Sequence, residues 1–211
     1  MMLFAVHIAD GLLAAPWWLG GFALAAAVLA WAGWRLPHEE VPRIGLFTAA
    51  FFVASQIHIP LGAVKVHLLL NGLVGVVLRR RTGLALAVGL TFQAVLFGHG
   101  GFSTLGVNFL VQWIPATLGA WLVPRLLRRW KPFAVGVTCG AITALLTVLL
   151  NAAVLALGGI ADFSAVAVVS FLAHLPVVAV EAVLVGSVLQ VLVRAKPEWF
   201  ELRPVAAVGA G

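Results

Sequence analysis

Apolar residues in this chain run in long, nearly unbroken stretches, separated by short charged or glycine-rich breaks. They show neither the one-sided stripe of a soluble helix nor the strict alternation of a half-buried strand. Seven stretches stand out, at about residues 17–34, 44–57, 66–78, 84–97, 105–123, 133–157 and 165–193. A membrane-crossing helix needs ~20 predominantly apolar residues, so the pattern predicts an all-α polytopic membrane protein with about seven transmembrane helices. The second, third and fourth stretches fall short of ~17 residues and must extend into their flanks or cross a thinner region. The expected organisation is one integral membrane domain: an N-terminal segment over 1–16, a helical bundle over 17–194 and a cytoplasmic tail over 195–211.

Composition narrows the class further. Hydrophobic residues make up 63% of the 211 residues and charged residues 9%, against about a quarter charged in soluble domains. One soluble core could not hide so much apolar surface. Disorder needs the opposite composition. The N-terminal run lacks a basic leading region and is interrupted by His7 and Asp10, so it does not read as a cleavable secretion signal. One cysteine, Cys139, sits in an apolar stretch; it excludes an internal disulfide or a thiolate-rich metal centre and reads as a core residue.

The net charge of +6 could suggest nucleic acid in a soluble protein, but here the positive charges mark loops. With the start of the first span outside, Arg35, Arg43, Arg79, Arg80, Arg81, Arg125, Arg128, Arg129, Lys131, Arg194, Lys196 and Arg203 all fall inside, and only Lys65 falls outside. The Lys/Arg bias therefore predicts an outside N-terminus and a cytoplasmic C-terminus. No nucleic-acid partner is expected. The arginine clusters read as topology markers, and the same residues could meet a cytoplasmic partner.

In that orientation His7, His58, His67, His99 and His174 share the outer side, with Asp10, Asn71, Asn108 and Asp162, while His38 lies inside. Imidazole suits zinc, copper, iron and nickel, whereas calcium and magnesium want oxygen cages. Several imidazoles at one face, with few carboxylates and no usable thiol, point to capture of a borderline transition metal. The competing reading of each histidine is an interfacial hydrogen-bonder, and His58 fits it best because His-Ile-Pro is also an ordinary helix end.

Two further features carry chemistry. Gly98-His99-Gly100-Gly101-Phe102-Ser103-Thr104 is a glycine-rich connection between two spans, and irregular backbone at such depth must be buried in protein or line a watery cavity. No Gly-Lys-Ser/Thr follows, so it is not a phosphate-binding loop. His174 and Glu181 lie seven residues apart on one helical face, and a carboxyl near mid-membrane is a functional candidate or a fastener between helices. Gly136 and Gly140 have the spacing of a close helix contact, a pattern that 22 glycines also produce by chance.

Four motifs occur in order: His7-Ile8-Ala9-Asp10-Gly11; Val66-His67-Leu68 with Asn71-Gly72; Phe92-Gln93-Ala94-Val95-Leu96-Phe97-Gly98-His99-Gly100-Gly101 continuing through Thr104-Leu105-Gly106-Val107-Asn108; and Ala173-His174-Leu175-Pro176 with Glu181. Together they resemble the substrate-binding membrane component of cobalt and nickel energy-coupling-factor importers, the CbiM/NikM family, over nearly the whole chain. The resemblance implies capture of Ni(II) or Co(II) from outside by an N-terminal segment plugged into the outer face of the bundle. It implies partners too: a membrane coupling (T) protein, cytoplasmic ATPases and a small accessory membrane subunit. It places the protein in the plasma membrane of a prokaryote.

By the same resemblance His7 and His67 are metal ligands. His99 stands where the family often carries an acidic residue and is expected to supply a replacement ligand; Asp10, Asn71, Asn108, His174 and Glu181 are expected to be supporting polar residues, Asp10 by orienting an imidazole. In the family the first histidine follows the initiator methionine, and the terminal amine also binds metal. Six residues precede His7 here, so that chelate requires their removal. No Walker motif is present, so ATP-driven work would fall to partners. A self-sufficient secondary transporter, a capture subunit for another small molecule and an intramembrane enzyme are the alternatives. The first would need an inverted repeat and the last a Gly-x-Ser-x-Gly elbow; neither is seen.

Overall fold

The structure is a computed structural model that describes residues 7–61 and 64–200. Among these residues it is a helical bundle carrying one short hairpin. The elements are α1 (Ala15–Gly33), α2 (Val41–Ala54), β1 (His58–Leu61), β2 (Val64–His67), α3 (Asn71–Leu78), α4 (Thr82–Phe97), α5 (Leu105–Leu126), α6 (Pro132–Gly158) and α7 (Ser164–Ala195). Four helices, α1, α5, α6 and α7, are long and apolar enough to cross a membrane. At 1.5 Å per residue α3 extends only about 12 Å, so the count of seven full spans reduces, on length and composition, to four. Large apolar side chains such as Leu24, Leu96, Leu172 and Val191 remain exposed, a belt that suits lipid rather than water.

The third expected span is the part that changes. Val66 is in strand β2, residues 68–70 are neither strand nor helix, and helix begins only at Asn71. β1 and β2 pair antiparallel with His58 opposite His67 and Leu61 opposite Val64. The physical reason is local. Two four-residue strands are separated by two residues, Gly62-Ala63, a spacing that selects a tight hairpin; Pro60 belongs on an edge strand and resists helix.

Both ends of the bundle are secured by polar side chains that satisfy backbone groups. At one end Arg81, buried although charged, donates from Nη1 to the Ala32 carbonyl (2.5 Å) and from Nη2 to that of Arg35 (3.2 Å), while its Nε pairs with Glu40 Oε2 at 2.5 Å. These carbonyls lie in the last turn of α1 and just beyond it, where the helix leaves them without partners. Arg80 donates to the Trp31 carbonyl at 2.7 Å and stacks over the Trp31 ring. The arginine triplet thus has packing roles beyond marking topology.

At the other end Glu181 of α7 reaches the turn before α3. Its Oε1 accepts from Leu69 N–H (2.5 Å) and Leu70 N–H (3.0 Å). Leu70 has φ +51°, which turns the chain out of the strand and into the helix, and the Glu181 carboxyl oxygens lie where the helix presents its unpaired N–H groups. Glu181 is the fastener allowed by the sequence. Helices α6 and α7 approach at backbone distance: a Cβ on Gly136 would lie 2.6 Å from Gly186 Cα. The Gly136/Gly140 spacing is therefore a real contact, made to α7.

Residues 7–14 are docked onto this frame. Ala14 N–H donates to the Gly158 carbonyl (2.8 Å) and Ile160 N–H to the Leu12 carbonyl (3.0 Å), stitching the segment to the α6–α7 connection. Ile8 and Leu13 are buried in a small core with Val107, Val111, Leu155 and Ala167. Residues 1–6 of the expected capture segment, and residues 201–211 of the expected tail with Arg203, lie outside the described residues.

Candidate metal site

Three connections converge at the end of the bundle opposite the arginines: the N-terminal segment, the β1–β2 hairpin and the loop between α4 and α5. Each brings histidine. His7 and His67 stack with ring centroids 5.1 Å apart and planes 13° from parallel. His58 lies 5.8 Å from His67, edge to face. His99 lies 5.0 Å from His58 and 6.2 Å from His67.

The position of each ring has a local cause. Asn108, in the first turns of α5, grips the Ile8 backbone on both sides, its Oδ1 accepting from Ile8 N–H and its Nδ2 donating to the Ile8 carbonyl, both at 2.9 Å. Thr104 Oγ1 donates to the same carbonyl at 2.5 Å. Gly100, at φ +79°, lets the loop pass against His7; a Cβ there would lie 2.9 Å from Asn108 Nδ2 and 3.3 Å from His7 Cβ. His67 is set by the hairpin and by the Glu181 clasp that follows it. Directly opposed residues of an antiparallel pair put their side chains on one face, so His58 is delivered beside His67 by strand register.

Asp10 does something other than orient an imidazole. Its carboxylate accepts from Phe102 N–H (3.0 Å), Ser103 N–H (2.7 Å) and Ser103 Oγ (2.5 Å), fastening the N-terminal segment to the glycine-rich loop. The Ser103 hydroxyl, and behind it the amides of Ser103 and Phe102, hold this carboxyl below the usual range. Asn71 also sits one layer in, with Nδ2 donating to Thr147 Oγ1 (2.8 Å) and the Gln112 carbonyl (3.1 Å); it touches no histidine ring by hydrogen bond.

The state of the imidazoles suits metal capture. His7 is 4% exposed and His67 1%. Burial pushes the His67 ring down to about 4. Burial first, then the neighbouring rings of His67, His99, His174 and His58, hold His7 well below its ordinary value. Both are neutral at pH 7, each with a lone pair available. His67 Nδ1 lies 2.9 Å from the Leu68 carbonyl; a carbonyl only accepts, so Nδ1 carries the proton and Nε2 is left as the ligand atom. His174 repeats the arrangement, with Nδ1 donating to the Ser170 carbonyl at 2.6 Å. The Nε2 atoms of His7, His67 and His174 and Nδ1 of His99 are buried without a hydrogen-bond partner. Buried polar atoms are rarely orphaned without a reason.

Geometry permits sharing of an ion between neighbours. With metal–nitrogen bonds of ~2.0–2.1 Å, the centroids of two rings sharing an ion fall about 4.5–6.5 Å apart, which spans the distances above. Among the described residues no three His, Cys, Asp or Glu side chains are already arranged to hold one ion, so the rings must turn to converge. Sequence reasoning set His58 aside as an ordinary helix end; the signal that finds it is the hairpin, two short strands around Gly62-Ala63 with a histidine at each outer end.

A lipid-suited helical bundle with four imidazoles gathered at one end defines a membrane protein with a candidate metal site. Over residues 7–199 the chain matches the family described as the cobalt uptake substrate-specific transmembrane region, CbiM, and it belongs to that family. A protein of Haemophilus influenzae named for metal transport is 34% identical over 197 residues, covering 92% of this chain and 96% of its own length. A fused cobalt transport protein by name, CbiMQ of Methanocorpusculum labreanum, is 28% identical over 218 residues, covering 92% of this chain and 36% of that longer protein. A crystal structure of a truncated transition metal transporter superposes with a TM-score of 0.78 at 23% identity, covering 90% of this chain and 99% of the other; the likeness is one of fold.

Proposed function

We propose that this chain is the metal-capture subunit of an energy-coupling-factor importer, taking up Co(II) or Ni(II) through side-chain nitrogens of His7 and His67. The observation that carries the reading is the 5.1 Å stacking of these two rings, with both Nε2 atoms buried and unpartnered. The histidine end faces outward and the arginine end faces the cytoplasm, in keeping with the positive-inside rule, in a plasma membrane. Helices α2, α3 and α4 complete seven passes together with the hairpin and the loops that cap them. Asp10, Asn108 and Glu181 hold the three connections in register; Asn71 and His174 support the floor of the pocket. Energy comes from separate subunits, a membrane coupling protein and cytoplasmic ATPases, with a small accessory membrane subunit; fusion of a relative to a further segment, as the name CbiMQ records, supports such an assembly.

The test is metal accumulation in cells expressing this chain with its coupling module. His67→Ala abolishes uptake while membrane insertion and expression stay at wild-type level. Unchanged uptake removes His67 as a ligand. Uptake by the chain alone, in vesicles without ATP, overturns the subunit reading in favour of a self-sufficient transporter.

A further inference from the structure

The cluster holds more imidazole than one capture pair uses, and the surplus is ordered by depth. His7, His67 and His174 are buried, whereas His58 and His99 are only partly covered. The contacts run in the same order. His58 and His99 pair at 5.0 Å, each lies beside His67 at 5.8 and 6.2 Å, and His67 stacks on His7 at 5.1 Å.

We propose that His58 and His99 form a second, outer metal station that takes a divalent borderline transition-metal ion from water and hands it to His67 and His7. The inference rests on the capture function proposed above. The donor atoms on the page suit it. His58 Nδ1 lies 2.9 Å from the Gln56 carbonyl, which fixes the proton on Nδ1 and leaves Nε2 for an ion. His99 Nδ1 is buried and has no partner. Two imidazoles with water in the remaining positions make a weak, open site, which is what an entry station requires: tight enough to desolvate the ion partly, loose enough to release it. His67 neighbours both outer rings, so it can replace one outer imidazole before the other lets go, and His7 then replaces the second. The ion changes partners one nitrogen at a time and never returns to a fully hydrated state inside the protein.

The elements carrying the outer pair are suited to such a role. His58 rides on the hairpin in strand register with His67, so the two rings keep their spacing while the hairpin moves as a unit. His99 sits between Gly98 and Gly100, both at positive φ, in the loop that Asp10 ties to the N-terminal segment.

Titration of the purified full chain with Co(II) chloride, followed by calorimetry and by the visible d–d absorption of cobalt, tests the proposal, with stopped-flow absorption giving the loading rate. Wild-type protein binds two ions, one tightly and one weakly. His58→Gln/His99→Gln, chosen to preserve volume and checked by helical circular dichroism and monodisperse elution, keeps the tight ion with affinity within a few-fold, loses the weak one and loads at least about tenfold more slowly. His67→Ala loses the tight ion and keeps the weak one. A single ion in wild type, wild-type loading in the double variant, or loss of the tight ion along with the weak one each overturns the relay. A wild-type protein that binds neither Co(II) nor Ni(II) overturns instead the capture function beneath it.

Discussion

At the scale of single residues, the pocket depends on a few polar side chains that hold backbone rather than metal. Asn108 is the clearest. Both of its amide atoms are committed to Ile8, and His7 is the residue before. Asn108→Ala leaves the buried Ile8 N–H without its side-chain partner, the Ile8 carbonyl keeping Thr104, at a cost of about 1–3 kcal/mol, and loosens the hold on His7. Removal of such a supporting contact typically weakens metal binding by ~10–100-fold. Isothermal titration with Co(II) and a thermal melt of the metal-free protein measure the two effects. Asn108→Asp fares no better, since an oxygen then faces the Ile8 carbonyl. The histidines add a pH dependence whose direction is fixed. The folded state holds His67 neutral down to about 4, against an ordinary value of 6.5, so the unfolded chain binds more protons between those limits. Stability is therefore complete above about pH 6.5 and is lost as pH falls towards 4, by about 3 kcal/mol over that window from His67 alone. Melting temperatures of metal-free protein at pH 7 and pH 5 check it, and His67→Gln flattens the slope. A slope that is the same in the variant assigns the acid sensitivity to other groups.

At the scale of elements, the hairpin and α3 behave as one jointed arm, clasped from behind by α7. Glu181 takes two N–H groups at the joint, directly after His67. Glu181→Ala leaves both donors buried and unpaired and lowers stability by roughly 2–4 kcal/mol. Glu181→Gln keeps one acceptor oxygen and loses less, and both variants weaken Co(II) binding because the strand that presents His67 is loosened. Thermal melts and titrations of the two variants, ranked Ala below Gln below wild type, are the expected result; equal stability of all three would mean that the clasp carries no weight. This joint also marks where sequence legibility stops. The long helices α1, α5, α6 and α7 were readable because twenty or so apolar residues have one solution in lipid, and their boundaries fall within a few residues of the expected stretches. Residues 66–70 were absorbed into a span because Val-His-Leu-Leu-Leu is equally apolar in a buried strand and in a helix; length and the neighbouring Gly62-Ala63 decide between them. His7, His67 and His99 were legible as residues sharing one side. That Asp10 would bind loop amides depended on the loop's path, which no spacing in the chain encodes; that His58 would join the cluster depended on strand register, legible only once residues 58–67 are read as a hairpin.

At the scale of the whole molecule, the two ends differ in kind. One gathers His7, His58, His67 and His99 where the N-terminal segment, the hairpin and the α4–α5 loop meet, and the other carries Arg35, Arg80, Arg81, Arg125 and Lys131. Helix α6, with 27 residues, runs about 40 Å between them, from beside Lys131 to the Gly158 carbonyl that receives the N-terminal segment. A cluster of basic residues is held on the cytoplasmic side by the insertion machinery and the membrane potential, so the histidine end must face out if the chain obeys this bias. The protein lends itself to a direct check, because its one thiol, Cys139, is buried and gives little background. Ile160 and Trp130 are both exposed, at the histidine end and the arginine end respectively. A membrane-impermeant maleimide added to intact cells should label Ile160→Cys and spare Trp130→Cys, and should reach Trp130→Cys only after the membrane is opened. The opposite pattern would place the imidazoles in the cytoplasm and overturn the outward-facing capture site proposed above, and the direction of transport would have to be argued afresh from the arginine end.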